Sequence, residues 1–76
     1  MFNKVEINRR FLSFFEGQTQ KEIQDTLNVS QSAVSSWQVN RKQVPWKKLK
    51  WLVDTHSVSW DWLIEGRGKK NWQNKA

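Results

Sequence analysis

The chain has 76 residues, no Cys, one Pro and three Gly, and its thirteen Lys and Arg against seven Asp and Glu leave a net charge of +6. That length supports one small domain with one core, burying roughly 60–65% of the surface its unfolded chain exposes. The lack of Cys excludes disulfides and thiolate metal sites, and no run has the length of a membrane span or of a secretion-signal h-region, so the expected setting is the cytoplasm.

Helix periodicity dominates, and five helices are predicted with no strand, internal repeat or low-complexity tract. In "VEINRRFLSFFEG", Ile7, Phe11, Phe14 and Phe15 recur on one helical face, and Gly17 ends the element. "TQKEIQDTL" opens with Thr19 and carries Glu22 three residues later, the capping-box signature, with Ile23 and Leu27 as a single apolar stripe. Asn28 follows, a residue that tolerates the left-handed turn of a tight helix–helix connection. In "SQSAVSSWQ", Ser30 is a good N-cap, while Val34 and Trp37 face inward. "VNRKQV" reads as a polar loop. Pro45 takes the first position of "PWKKLKWLVDT", whose apolar face is Trp46, Leu49, Leu52 and Val53. Ser59 caps "WDWLIEG", a short helix that buries Trp60, Leu63 and Ile64 and stops at Gly66. Residues 1–68 thus form the domain, and residues 69–76 read as a basic, flexible tail.

The charge is unevenly placed. Residues 1–30 carry Lys4, Arg9, Arg10 and Lys21 against Glu6, Glu16, Glu22 and Asp25, which cancel, so the whole excess lies in residues 31–76. Such asymmetry points to a polyanionic partner, nucleic acid or an anionic membrane. Yet "NVSQSAVSSWQ", residues 28–38, holds no charged side chain. With Val34 and Trp37 inward, a 100° step per residue turns Ser32, Ser35, Ser36 and Val39 outward, with Gln31 reaching from the flank.

Two short helices joined by a three- to four-residue turn in a small basic all-helical domain make a helix-turn-helix plausible from pattern alone. In that geometry the neutral outer face reads base edges: Gln contacts adenine bidentately, Ser contacts several bases, and Val39 meets a thymine methyl. Cations are kept for the phosphates that flank it, at Lys21, Arg41, Lys42, Lys47 and Lys48.

The segment from about Ile7 to Gly68 resembles the helix-turn-helix domain of phage CI-type repressors, in the broader lambda-repressor-like family. The matching stretches are "TQKEIQDTLNVSQSAVSSWQ", Val44-Pro45 and "VSWDWLIEGRG". The resemblance implies a compact all-α five-helix domain and a transcriptional regulator of double-stranded DNA, a phage or prophage repressor that binds a near-palindromic operator as a homodimer. It implies phosphate contact at Gln20, base contact at Gln31 and Ser32, and a groove-facing Ser36. Ser30 and Asn40 complete the expected backbone-contact set. Gln24 stands where the family commonly has Ala at the crossing of the motif helices, Asn28 replaces the usual turn Gly, and Ser57 stands where a helix-ending Gly is typical.

His56 is the only His and reads as a helix-end residue, and "GRG" at 66–68 reads as a helix stop. Asp54, Asp61 and Glu65 have no nucleophile or partner acid beside them, so no enzyme, cofactor, metal or small-molecule substrate is expected. Among six Trp, Trp51 and Trp72 are expected at the surface, as anchors for a dimer or partner contact. They support an alternative reading: a protein-interaction module such as an antitoxin or anti-repressor. Membrane-surface binding by "PWKKLKWLV" is disfavoured, because the core needs that apolar face.

Overall fold

The computed structural model describes residues 3–71, which form five helices and no strand. Helix α1 spans Lys4–Leu12, with Asn3 Oδ1 accepting from the Glu6 amide at 3.1 Å, and runs into a 3₁₀ turn at Ser13–Phe15. Helix α2 spans Gln20–Leu27 behind a complete capping box: Thr19 Oγ1 accepts from the Glu22 amide, and the Thr19 amide donates to Glu22 Oε1. Asn28 ends it at φ 56°, ψ 51°, the left-handed conformation foreseen for that residue. Helix α3 spans Gln31–Gln38, capped by Ser30 Oγ, which accepts from the Ala33 amide. Helix α4 spans Trp46–His56 and ends at a left-handed Ser57. Pro45, expected as the first helical residue, is its N-cap at ψ 150°, so the helix starts one residue later, at Trp46.

The last helix, α5 at Asp61–Glu65, is a single π-helical turn ending at left-handed Gly66. The winding matters. Wider than an α-helix, it turns Trp60 away from the face that Leu63 and Ile64 share. Trp60 is 38% exposed, against the expectation that it is buried, while Leu63 and Ile64 are in the core. Trp46 was also expected inside and is half-exposed, because the core ends one turn into α4, at Leu49. The two indoles pack on each other instead, with centroids 5.6 Å apart.

The core gathers Ile7, Phe11 and Phe15 with apolar residues from every other helix, and the Trp37 indole meets Phe11 edge-on at 6.0 Å. Helix α1 packs against both α3 and α5, and α2 against α3. Within this apolar interior lies one carboxamide, Asn8, 1% exposed. Its Oδ1 accepts from the Val44 amide at 2.9 Å, and its Nδ2 donates to Lys42 O at 2.8 Å and, at 3.3 Å, to Trp37 O and Asn40 Oδ1. One side chain of α1 thereby holds the end of α3 and the loop beyond it.

Arg10 does the same for α5. Its Nε and Nη2 donate to the Leu63 and Ile64 carbonyls at 2.8 and 3.0 Å, filling acceptors that a helix end leaves open. The stretch read as a tail starts as a strap. Lys70 O accepts from the Ser59 amide, Val58 pairs with Asn71, and Asn71 Nδ2 caps the His56 and Ser57 carbonyls. The Lys70 ammonium sits 4.5 Å from the Phe14 ring centre and 5.5 Å from that of Trp62.

Two substitutions test this account. Asn8→Ala strands buried main-chain groups and lowers stability by about 2–4 kcal/mol, read as a shift of the urea midpoint at constant m. Gly66→Ala puts a Cβ at φ +71° and 2.9 Å from Arg10 Nη1. Its cost is at least about 1–2 kcal/mol from the left-handed backbone alone, and thermal unfolding reads the loss.

Candidate functional site

Helices α2 and α3 are joined by only residues 28–30, which the left-handed Asn28 makes possible. Ile23 and Leu27 of α2 and Val34 and Trp37 of α3 are buried between and beneath them. Gln24 is half-buried at this junction, and its carbonyl accepts from the Asn28 and Val29 amides.

The opposite side of α3 is exposed at Gln31, Ser32, Ser35, Gln38 and Val39, with Val39 62% exposed. Three glutamines form a chain across this surface. Gln31 Nε2 donates to Gln20 Oε1 at 3.4 Å, and Gln20 Nε2 donates to Gln38 Oε1 at 3.1 Å. Gln38 was not among the expected site residues, although its position seven residues after Gln31 put it on the same helix face.

Ser36 departs from expectation. It is 7% exposed, not outward-facing. The helix alone would leave it at the surface, but the following loop folds back over it: the Arg41 and Lys42 amides both donate to its carbonyl, at 2.8 and 3.4 Å. Asn40 is left-handed and half-buried, and its side chain accepts from Asn8. Its side-chain oxygen is thereby engaged by the interior. Trp51 also departs from expectation. It is half-buried, stacked on Phe15 at 6.3 Å and edge-on to His56 at 5.7 Å, because the 3₁₀ turn carries Phe15 onto its flank of α4. Trp72 lies outside the described residues.

The cations divide into two groups. Arg10 caps α5, Lys48 Nζ donates to the Leu27 carbonyl at 2.7 Å and so caps α2, and Lys70 covers aromatic rings. Arg9 pairs with Glu6, Lys21 with Asp25, Lys50 with Asp54 and Arg67 with Glu65. The Arg9 hydrogen bond, helped by the charges of Arg9 and Arg10, holds the Glu6 carboxyl below the usual carboxylate range against an opposing effect of desolvation. Among the described residues that leaves the side chains of Lys4, Arg41, Lys42, Lys47 and Lys69 without an ionic, hydrogen-bonding or ring partner. Three of these follow α3 directly, in the loop and at the start of α4.

The site is therefore a neutral surface of amides and hydroxyls bordered by uncommitted positive charge. Lys21 borders it too, in an exposed pair that a competing anion can open cheaply. Ser30 spends an oxygen lone pair on its cap and keeps its hydroxyl proton to donate. No family model, curated protein or solved structure matches the chain.

The contrast between neighbouring lysines is testable. Lys48→Ala removes a cap from α2 and costs about 1 kcal/mol, whereas Lys47→Ala stays within about 0.5 kcal/mol of wild type. Parallel thermal melts of the two variants read the difference.

Proposed function

We propose that the chain is a sequence-specific double-stranded DNA-binding transcriptional regulator of the phage or prophage repressor kind, with α2 and α3 acting as a helix-turn-helix in a lambda-repressor-like domain. The observation that carries this reading is the division of labour around α3: a face without charge, bordered by the cations that have no structural partner. Phosphates attract any cation, so charge supplies affinity and register with little sequence information. Base edges are told apart by the geometry of donors and acceptors, which neutral amides and hydroxyls present.

In this reading α3 enters the major groove. Gln31 contacts adenine N6 and N7, Ser32 and Ser35 contact neighbouring edges, and Val39 meets a thymine methyl. The bonds from Gln20 to Gln31 and Gln38 orient these amides before the ligand arrives, which lowers the ordering cost of binding. Gln20, Lys21, Arg41, Lys42 and Lys47 follow the backbone on either side. Two copies on a near-palindromic site cover a promoter and block it.

The interaction-module reading now draws on a different pair. Trp46 and Trp60, not Trp51, present exposed aromatic area, and an antitoxin or anti-repressor would use them. The two readings separate on α3: Gln31→Ala with Ser32→Ala removes DNA binding and spares a contact made through Trp46 and Trp60.

Selection of bound duplexes from a randomised pool at physiological salt tests the main reading. The expected product is an inverted repeat with half-sites about 10–10.5 base pairs apart. Against it, Gln31→Ala costs about 1–3 kcal/mol and relaxes preference at one position, while Arg41→Gln weakens all sequences alike and lowers the salt slope by about 0.9. Binding without enrichment overturns the sequence-specific part, and no binding overturns the whole.

A further inference from the structure

A groove of about 230 Å³ that no residue of α2 or α3 lines is formed by Trp46 of α4 with Trp60, Asp61, Ile64 and Glu65 at α5. Two of its walls are indoles, 50% and 38% exposed, whose rings are inclined at 45° with centroids 5.6 Å apart. An aromatic face carries the negative side of the ring quadrupole, and Trp holds a cation over it better than Tyr or Phe. The other exposed lining residues are both carboxylates, and no Lys or Arg is among them. Negative potential thus collects in one groove of a chain whose net charge is +6.

The seven acids divide as the cations do. Glu6, Asp25, Asp54 and Glu65 hold cations and Glu22 closes a capping box, so among the described residues only Glu16 and Asp61 have carboxylates without a partner. Asp61 stays unpaired in a chain with cations to spare. We propose that the groove receives an arginine side chain of a partner protein, its guanidinium lying against Trp46 and Trp60 and its edge donating to the Asp61 carboxylate. A guanidinium is planar and weakly hydrated, so it stacks on an indole while forking onto a carboxylate, which a compact ammonium does not do. The volume is below the roughly 300–1,000 Å³ of sites for whole small molecules, and suits one side chain. Trp and Arg are also the residues that dominate binding energy between proteins. Glu65 is held by Arg67 in an exposed pair that opens cheaply. This deepens the interaction-module reading by naming its partner's chemistry, and it is independent of the DNA reading.

Two arms test the site on the 76-residue chain. In the first, acetylated arginine amide replaces sodium at constant ionic strength, and the indole N–H signals of Trp46 and Trp60 are followed by NMR. Acetylated citrulline amide is the uncharged isostere, and tetramethylammonium is a cation that cannot fork. Saturable, millimolar binding of the arginine compound is expected, without saturation by the citrulline one, and Trp60→Leu and Asp61→Asn each weaken it about fivefold. Asp61→Asn keeps the shape of the groove and so stands where Trp60→Leu disturbs packing. Shifts that do not saturate, that ignore both substitutions, or that citrulline matches overturn the site. Tighter binding of tetramethylammonium overturns its assignment to a guanidinium.

The second arm tests the source. A blocked Gly-Ser peptide with one central Arg is expected to bind as tightly as the arginine amide. Its exclusion from a groove that admits the amide assigns the site to a free small cation and overturns the protein partner. The selected duplex keeps the two readings apart: Trp60→Leu and Asp61→Asn leave duplex affinity within about twofold, since the groove shares no residue with the DNA surface. A loss of about tenfold in both variants makes the groove part of the DNA-bound assembly and overturns a separate partner. Arginine binding without any duplex binding upholds the groove and overturns the DNA reading.

Discussion

The arrangement of α3 depends on the buried carboxamide of Asn8. An eight-residue helix is far below the length, about 12–15 residues, at which a helix holds its shape alone in water. Its place is set from outside, by Val34 and Trp37 on one side and by Asn8 at its end. The loop that follows has neither helix nor sheet to absorb its main-chain polar groups, and these need partners wherever water is excluded. Asn8 supplies them from a single position on α1, with donors for carbonyls and an acceptor for the Val44 amide. An apolar residue there would fill the space and strand the backbone. A charged one would add a desolvation cost that nothing nearby offsets.

The same economy governs the cations. A net charge of +6 suggests a uniformly sticky surface, but most positive side chains already have work. Arg10 and Lys48 neutralise the carbonyl ends of α5 and α2, where cations are favoured by the helix dipole as well as by hydrogen bonding. Others are tied to carboxylates one helical turn away, pairs that hold little energy at the surface but lower the local field. What remains unbalanced is concentrated after α3, at Arg41, Lys42 and Lys47. Long-range attraction of a polyanion is therefore directed at that flank and not spread over the molecule.

Local signals in the sequence survive folding almost unchanged. Thr19 with Glu22, Ser30 and the left-handed Asn28 each act within a few residues, so the chain order alone contains their geometry. The exposed positions Gln31, Ser32, Ser35 and Val39 follow from the helical step once Val34 and Trp37 are assigned inward. Most of the failures share one cause, contact with residues distant in sequence. Ser36 and Asn40 are drawn inward by a loop that periodicity treats as solvent. Trp51 is covered by Phe15, and Lys48 finds a carbonyl 21 positions earlier. Asn8 could not be found at all: a polar residue beside Ile7 reads as the edge of an amphipathic stripe, and its partners lie 29 to 36 residues away. Trp60 fails for a different reason, since a 3.6-residue period does not describe a π turn.

These outcomes separate two kinds of residue that look alike in sequence. Ser35 and Ser36 are adjacent, as are Val39 and Asn40, yet one of each pair is exposed and the other is taken into the fold. Gln31, Ser32, Ser35 and Val39 are exposed, so packing does not dictate their chemistry. They are free to be chosen for a ligand. Asn40 is not, because its left-handed backbone and its bond to Asn8 are needed to close the loop. Gln20 stands between the two kinds: it belongs to α2 by position, but its side chain bonds only to glutamines of α3's exposed face. A change of specificity can therefore be sought by exchanging Gln31, Ser32 and Ser35 at little cost in stability, provided Gln20 keeps a partner. The same exchange at Asn8, Trp37 or Asn40 would move the helix itself, and every contact on its outer face would shift together.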